Sequence, residues 1–268
     1  MQDNYEDFYQ HIIKVAYPEA TDIRHPTVRG GVCPMFLADI NKSTKVFKFN
    51  TREIAYRNRT ISNLLGDHDI NVPQTTVCAY HSEWFERYDY CPDKTLFEYI
   101  QADTLTKQQI ENVYKQALDK QAHMSEIKPI MFGPNSLLEY PDVFAASMRQ
   151  KLSPWLVDFY AYFVRILATR GDMRLMHNDI NPKNLLITPD AQLTKMLDLD
   201  SVATANESFA LLMALRHYPL DNQHEMIEYY QDKTGRKVNE KAIMHGIKIL
   251  DTLRNARRKF DVHFIRTK

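Results

Sequence analysis

The densest group of residues able to do chemistry is the run HNDINPKN, residues 177–184, and fourteen residues beyond Asn184 comes Asp198 in MLDLD. Asp179 precedes Asn184 by five positions, which is the D-x-x-x-x-N spacing of a kinase catalytic loop. Phosphoryl transfer from ATP needs one carboxylate beside the acceptor hydroxyl. It also needs an Asn oxygen and a second carboxylate to hold Mg²⁺, because hard cations take oxygen ligands. His, Asp, Asn and Asp occur here in the order that chemistry requires. A surface loop using Asn and Pro only for its turns is the plain alternative. Strand signals on the C-terminal side of each acidic site argue against it.

Rigid elements must present these groups. The loop lies between an apolar-rich stretch read as helix and the strand LLIT, and Asp198 ends the apolar strand KMLDL. Upstream, FYQHIIKVAYP reads as a short helix ended by Pro18. CPMFLADI and KVFKFN read as strands joined by NKST, and residues 51–65 change to helical spacing. TTVCAY and WFERYDYC are a further pair of β-rich runs. Beyond CPDK, residues 91–94, the pattern is helical over 95–125 and 142–170, with strands at 185–199 and helices again from Glu207 to Lys259. This predicts an α+β chain of two lobes, residues 1–91 and 92–268.

Composition narrows the function classes. Thirty-four Lys and Arg balance 34 Asp and Glu, so nonspecific nucleic-acid binding, which runs on excess positive charge, is not expected. The apolar run that includes Ala210 to Leu215 falls far short of a membrane span. The N-terminus is acidic and aromatic, unlike a secretory signal. Cys33, Cys78 and Cys91 fit neither a disulfide framework nor a zinc knuckle. A cytoplasmic protein is expected, with no nucleic-acid or membrane partner and an oligomeric state left open.

HNDINPKN followed by MLDLDSV resembles the aminoglycoside phosphotransferase and choline kinase superfamily, small-molecule kinases with a protein-kinase-like fold. The specific part of the resemblance spans residues 176–202. It implies a small β-rich N-lobe that binds nucleotide and a larger helical C-lobe with the catalytic loop and acceptor site. It implies ATP and Mg²⁺ as cofactors, Asp179 as the catalytic residue, and Asn184 and Asp198 as metal ligands. His177 would brace the loop. Asp200 would assist the metal or brace the backbone, the second reading being slightly favoured because Asp is common in turns after strands.

The N-lobe residues carry weaker signals. Lys48 in KVFKFN is where such a fold places the lysine for the α and β phosphates. Lys45, on the other face of the strand, is the second candidate. Glu53, the one carboxylate in the following helix, either pairs with Lys48 or forms a reciprocal cap with Asn50. Gly30 and Gly31 supply a nucleotide loop without G-x-G-x-x-G or a Walker sequence. Tyr88 and Tyr90 in ERYDYC fall at the lobe junction, where backbone groups would meet adenine and the rings would line its pocket or only pack a hairpin.

Three functions compete: a small-molecule O-phosphotransferase, a protein Ser/Thr kinase-like enzyme, and a catalytically inactive nucleotide-binding protein. Only eight residues separate Asp198 from the helix beginning at Glu207, with no D-F-G and no A-P-E, which speaks against a peptide-docking activation segment. The acceptor is read as a sugar, an amino alcohol such as choline, or an aminoglycoside. Glu207, Asp221, Glu225, Glu228 and Asp232 are candidate carboxylates for a polycation. Trp155, Tyr160, Tyr162, Tyr218, Tyr229 and Tyr230 are raw material for a choline cage.

Overall fold

A central antiparallel sheet, its strands lying in the order Thr21–Arg24, Met35–Ile40, Ser43–Asn50, Glu83–Asp89 and Thr76–Tyr80, organises the first part of the chain. The computed structural model describes residues 3–26, 33–128, 158, 162, 166 and 171–252. Within these the chain forms two units, Met1–Asp93 and Lys94–Lys268. The division follows Asp93 because Lys94 and Thr95 already pair with a strand of the second unit.

In the first unit, α1 (Asp3–Ala16) precedes β1 (Thr21–Arg24), β2 (Met35–Ile40) and β3 (Ser43–Asn50). Helix α2 (Arg52–Asp67), β4 (Thr76–Tyr80) and β5 (Glu83–Asp89) complete it. Asn41 and Lys42 both have positive φ, 49° and 66°, as a two-residue hairpin turn between β2 and β3 demands. Strand alternation explains KVFKFN. Phe47 and Phe49 join Phe36, Ala38 and Phe85 in a core that Ile12 and Ile13 of α1 cover. Val46 and Lys48 point to the other face and are buried too. β3, paired on both edges, is therefore covered on both faces.

The second unit opens with β6 (Lys94–Thr95), α3 (Leu96–Gln101) and α4 (Lys107–Glu126). The expected helical stretch over 95–125 consists of two helices, each started by a capping box, Thr95 with Glu98 and Thr106 with Gln109. The expected helix over 142–170 and its Pro154 lie almost wholly outside the described residues. The stretch before HNDINPKN, read as helix, is instead strand β7 (Met173–His177). It pairs antiparallel with β10 (Val202–Asn206), a strand the sequence did not reveal. Between them, β8 (Leu185–Ile187) and β9 (Leu193–Met196) form a sheet with β6.

Helix α5 (Glu207–Leu215) is buried along its whole length, which accounts for the apolar run at 210–215. Helix α6 (Gln223–Thr234) ends at Gly235, whose φ of +66° suits glycine, and residues 240–252 form a final described helix, α7. No helix among the described residues is long and apolar enough to cross a membrane.

Two glutamines of α4 act as backbone clamps. Buried Gln121 accepts from His177 N–H (2.9 Å) and donates to His177 C=O (3.2 Å). Gln116 likewise accepts from Leu193 N–H (2.9 Å) and donates to Ala191 C=O (3.1 Å). Helix α4 thereby satisfies backbone groups at both ends of the segment that carries the loop.

His224 ties α6 to α7 through Nδ1 and Glu240 at 2.5 Å, with Glu228 3.2 Å from Nε2. The Glu240 hydrogen bond and the charges of Glu240 and Glu228 raise its pKa from the ordinary 6.5. A raised histidine pKa adds stability in full below the unfolded value and loses it as pH rises through the folded one. The melting-temperature advantage of the native protein over His224→Gln should therefore be larger near about pH 6 than near about pH 8. An advantage that is flat or grows with pH would contradict the assignment.

Candidate active site

Two antiparallel pairings bring the loop residues together. β7 delivers the chain to His177, opposite Val202 of β10. β8 begins at Leu185, opposite Met196 of β9, so Asn184 and Leu197 are neighbours and Leu197 N–H donates to Asn184 C=O at 2.8 Å. Asp198 then takes a left-handed conformation, φ 65°, which Asp tolerates better than most side chains, and a 3-10 turn (Leu199–Ser201) feeds β10. Asn178 N–H donates to Ser201 C=O (3.0 Å), and its carboxamide donates to the Met176 (3.0 Å) and Ser201 (3.2 Å) carbonyls. The loop and the turn after Asp198 are one hydrogen-bonded body.

His177 is buried at the centre of that body. Its Nε2 lies 2.7 Å from the Leu197 carbonyl, and Asp179 N–H donates to its Nδ1 at 3.2 Å. Both contacts are satisfied when the ring proton sits on Nε2. One imidazole thus holds the residue before Asp198 and the backbone of Asp179.

The Asp179 carboxylate is held from several sides. Its Oδ2 accepts from Asn181 Nδ2 (2.8 Å) and Asn184 Nδ2 (3.0 Å), and Arg216 Nη2 donates to Oδ1 at 3.3 Å. Asn181 Oδ1 in turn accepts from Lys183 N–H at 2.9 Å, an Asx turn that sets the loop's shape. Arg216 follows α5, and the buried Tyr114 hydroxyl donates to the next residue's carbonyl, His217, at 3.1 Å. Burial, then the neighbouring Tyr218 and Asp179, push the Tyr114 hydroxyl well above its usual pKa, so it remains a donor.

Asn184 also donates to the Asp179 carbonyl at 2.9 Å. Both its amide contacts are spent on Asp179, which leaves Oδ1 as the atom to offer a cation. A carboxamide oxygen tied through one backbone bond to a carboxylate-bearing turn is a donor set that fits Mg²⁺. Asp200 is half-buried within the 3-10 turn.

Of the N-lobe candidates, Lys48 is 7% exposed and shares a sheet face with half-buried Tyr88. Lys45 points the other way and pairs with Asp89. Glu53 is exposed on the first turn of α2. The N-cap there is Thr51, which accepts from Ile54 N–H, in place of the reciprocal cap of Asn50 with Glu53 that is one of the two expected readings. Asn50 ends β3, and its side chain donates to Glu86. Tyr90 is exposed, its N–H donating to Thr44 C=O at 3.0 Å. Gly30 and Gly31 lie outside the described residues.

Among the acceptor candidates, Glu207 is buried and pairs with Arg236 at 2.8 Å while accepting from Tyr230 at 2.8 Å, which makes it a structural anchor. Tyr230 is fully buried and unfit for a cage. Trp155 and Tyr160 lie outside the described residues. Three further residues make contacts that the sequence reading did not single out. Asn181 was legible as part of the loop, whereas Arg216 and Glu86 reach their partners through tertiary packing and strand register.

The family model of the phosphotransferase enzyme family matches residues 45–246, and the chain belongs to that family. The fold is the family's kinase-like one, a small β-rich N-lobe and a helical C-lobe. It is similar to an aminoglycoside-3'-phosphotransferase of type VIII, with 12% identity, a TM-score of 0.67, and 92% of this chain and 98% of that one covered. It is also similar to an aminoglycoside phosphotransferase in ternary complex with ADP and hygromycin B (11% identity, TM-score 0.63, coverage 94% and 96%). A third likeness is to the macrolide 2'-phosphotransferase of Brachybacterium faecium (15% identity, TM-score 0.57, coverage 94% and 97%). No curated protein matches the sequence significantly.

The bracing geometry has a measurable consequence. His177→Ala opens a cavity in a packed site and strips the part-buried Leu197 carbonyl of its His177 partner. It should cost about 2–4 kcal/mol in urea denaturation. A loss under about 0.5 kcal/mol, the range of an ordinary surface change, would mean that the imidazole is no brace.

Proposed function

We propose that the protein transfers the γ-phosphate of ATP to a hydroxyl of a small molecule, with Mg²⁺ as the metal. The observation that carries this reading is the joint fixing of Asp179, Asn184 and Asp198 within one hydrogen-bonded loop system. Membership of the phosphotransferase enzyme family supports it.

Each residue then has a task. Asp179 accepts the hydroxyl hydrogen of the acceptor, its plane set by Asn181, Asn184 and Arg216. Asn184 Oδ1 and the Asp198 carboxylate would hold Mg²⁺, which neutralises charge on the phosphate oxygens. Lys48 would contact the phosphates. Adenine would meet the backbone of 89–91, where Asp89 points its peptide groups away from β3, past the last β4 pair, Thr76 with Arg87. Tyr88 would line that base. His177 acts through the loop it braces, and Asp200 through the turn after Asp198. A reaction fed by ATP belongs in the cytoplasm.

A small-molecule acceptor is favoured over a protein by the segment after Asp198. Residues 199–206 are wholly used by the 3-10 turn and by β10, which pairs along its length with β7. That leaves no open segment against which a peptide would lie. Hydroxyls of sugars, amino alcohols or aminoglycosides are the acceptor class. Related folds have been crystallised with hygromycin B and with spectinomycin.

Two variants test the assignment. Once an acceptor is found by following ATP consumption across these alcohols, Asp179→Asn should lower turnover by about 10²-fold or more with ATP affinity little changed. Asp198→Ala should abolish Mg²⁺-dependent stabilisation by ATP in thermal-shift measurements while the apo protein still folds. Undiminished Mg-ATP binding in that variant would overturn the metal assignment.

A further inference from the structure

Among the described residues of the first unit, the buried carboxylate is Glu86, and it comes from a strand. Glu86 of β5 stands directly opposite Lys48 of β3 in the antiparallel register, so the two side chains leave the sheet on the same face. Lys48 is 7% exposed and Glu86 only 2%. Two carboxamides converge on Glu86 Oε1: Asn58 Nδ2 of α2 at 2.9 Å, and Asn50 Nδ2 at the end of β3. Asn50 is oriented in turn, since its Oδ1 accepts from Cys33 Sγ at 2.9 Å. Asn58 lies on the buried side of α2 with Ala55, Ile61, Ser62 and Leu65, whereas Glu53 of the same helix is exposed.

Charge decides what this arrangement is for. Burying a carboxylate or an ammonium costs a large desolvation free energy that an opposite charge on the same face offsets. Cross-strand neighbours on one face are placed to neutralise each other. We propose that Glu86 is the positioning residue of Lys48, held by Asn58 and Asn50, in the role that sequence order would give to Glu53. This rests on the reading of Lys48 as the phosphate-binding lysine. Helix α2 thereby contributes a neutral amide, and the lysine is set by two strands of one sheet. Movement of α2 would change a hydrogen bond to Glu86 and leave the charge pair within the sheet.

The test is a double-mutant cycle on Mg-ATP binding, measured by calorimetry, with melting temperatures to confirm folding. Lys48→Met should weaken binding about tenfold or more, Glu86→Gln by a similar factor, and the double variant no more than Lys48→Met alone. Glu53→Gln should weaken it far less than Glu86→Gln. Adding Asn58→Glu to Glu86→Gln returns a carboxylate from the helix side and should restore most of the loss, which a merely structural role would not do. If Glu86→Gln does not fold, Glu86→Asp, which withdraws the carboxylate by one methylene, takes its place in the cycle. Additive losses, or a Glu86 variant that binds Mg-ATP like the native protein while Lys48→Met does not, would overturn the proposal. Undiminished binding by Lys48→Met would instead overturn the phosphate role of Lys48 itself, and the Glu86 proposal with it.

Discussion

The loop of residues 177–184 depends on one buried imidazole. Two acidic residues, Asp179 and Asp198, sit on separate turns nineteen positions apart, and neither turn is long enough to order itself. His177 joins them, taking the Asp179 N–H on one ring nitrogen and reaching the Leu197 carbonyl with the other. Its own backbone is clamped by Gln121 of α4, so the brace is anchored to the packed helix beneath. β7 pairs with β10 and β8 with β9, so both chain ends leaving the turns are held in sheets. The left-handed backbone of Asp198 is tolerable in that setting because the flanking hydrogen bonds over-determine it.

Preorganisation of this kind suits phosphoryl transfer, which asks for positioning and charge compensation more than for covalent chemistry. Asp179 is held by two carboxamides and a guanidinium, which fix its plane ahead of the acceptor that the proposed reading places there. The amide nitrogen of Asn184 steadies Asp179, and in the proposed reading its oxygen would hold the cation, so one side chain would serve two tasks. In the first unit, Glu86 collects Asn50 and Asn58 in the same manner. Both units thus use neutral carboxamides to aim a carboxylate.

How much of this was legible in the sequence depended on distance along the chain. The loop could be read directly because Asp179, Asn181 and Asn184 are local, and their types match the chemistry and the Asx turn. The two-lobed α+β order followed from the succession of strands and helices, and the kinase-like fold from the family resemblance that the loop carries. β7 was misread because RLMH continues an apolar stretch and its partner, β10, is a mixed run of small residues whose strand state comes from pairing alone. The cap of α2 was displaced by one residue since Asn50 and Thr51 are both good caps, and Asn50 is engaged by Glu86 and Cys33. Glu86 and Arg216 carried no local signal. Their partners lie 38 and 37 positions away, and only the strand register and the packing of α5 bring them close.

The central claim is that this site moves a phosphoryl group from ATP to a small-molecule hydroxyl. The direct measurement is ³¹P NMR of the products formed from Mg-ATP and an acceptor that stimulates ATP consumption. The account predicts ADP together with a new phosphomonoester whose phosphorus couples to a carbinol proton of the acceptor. AMP with pyrophosphate, or phosphate recovered only on protein side chains, would contradict it.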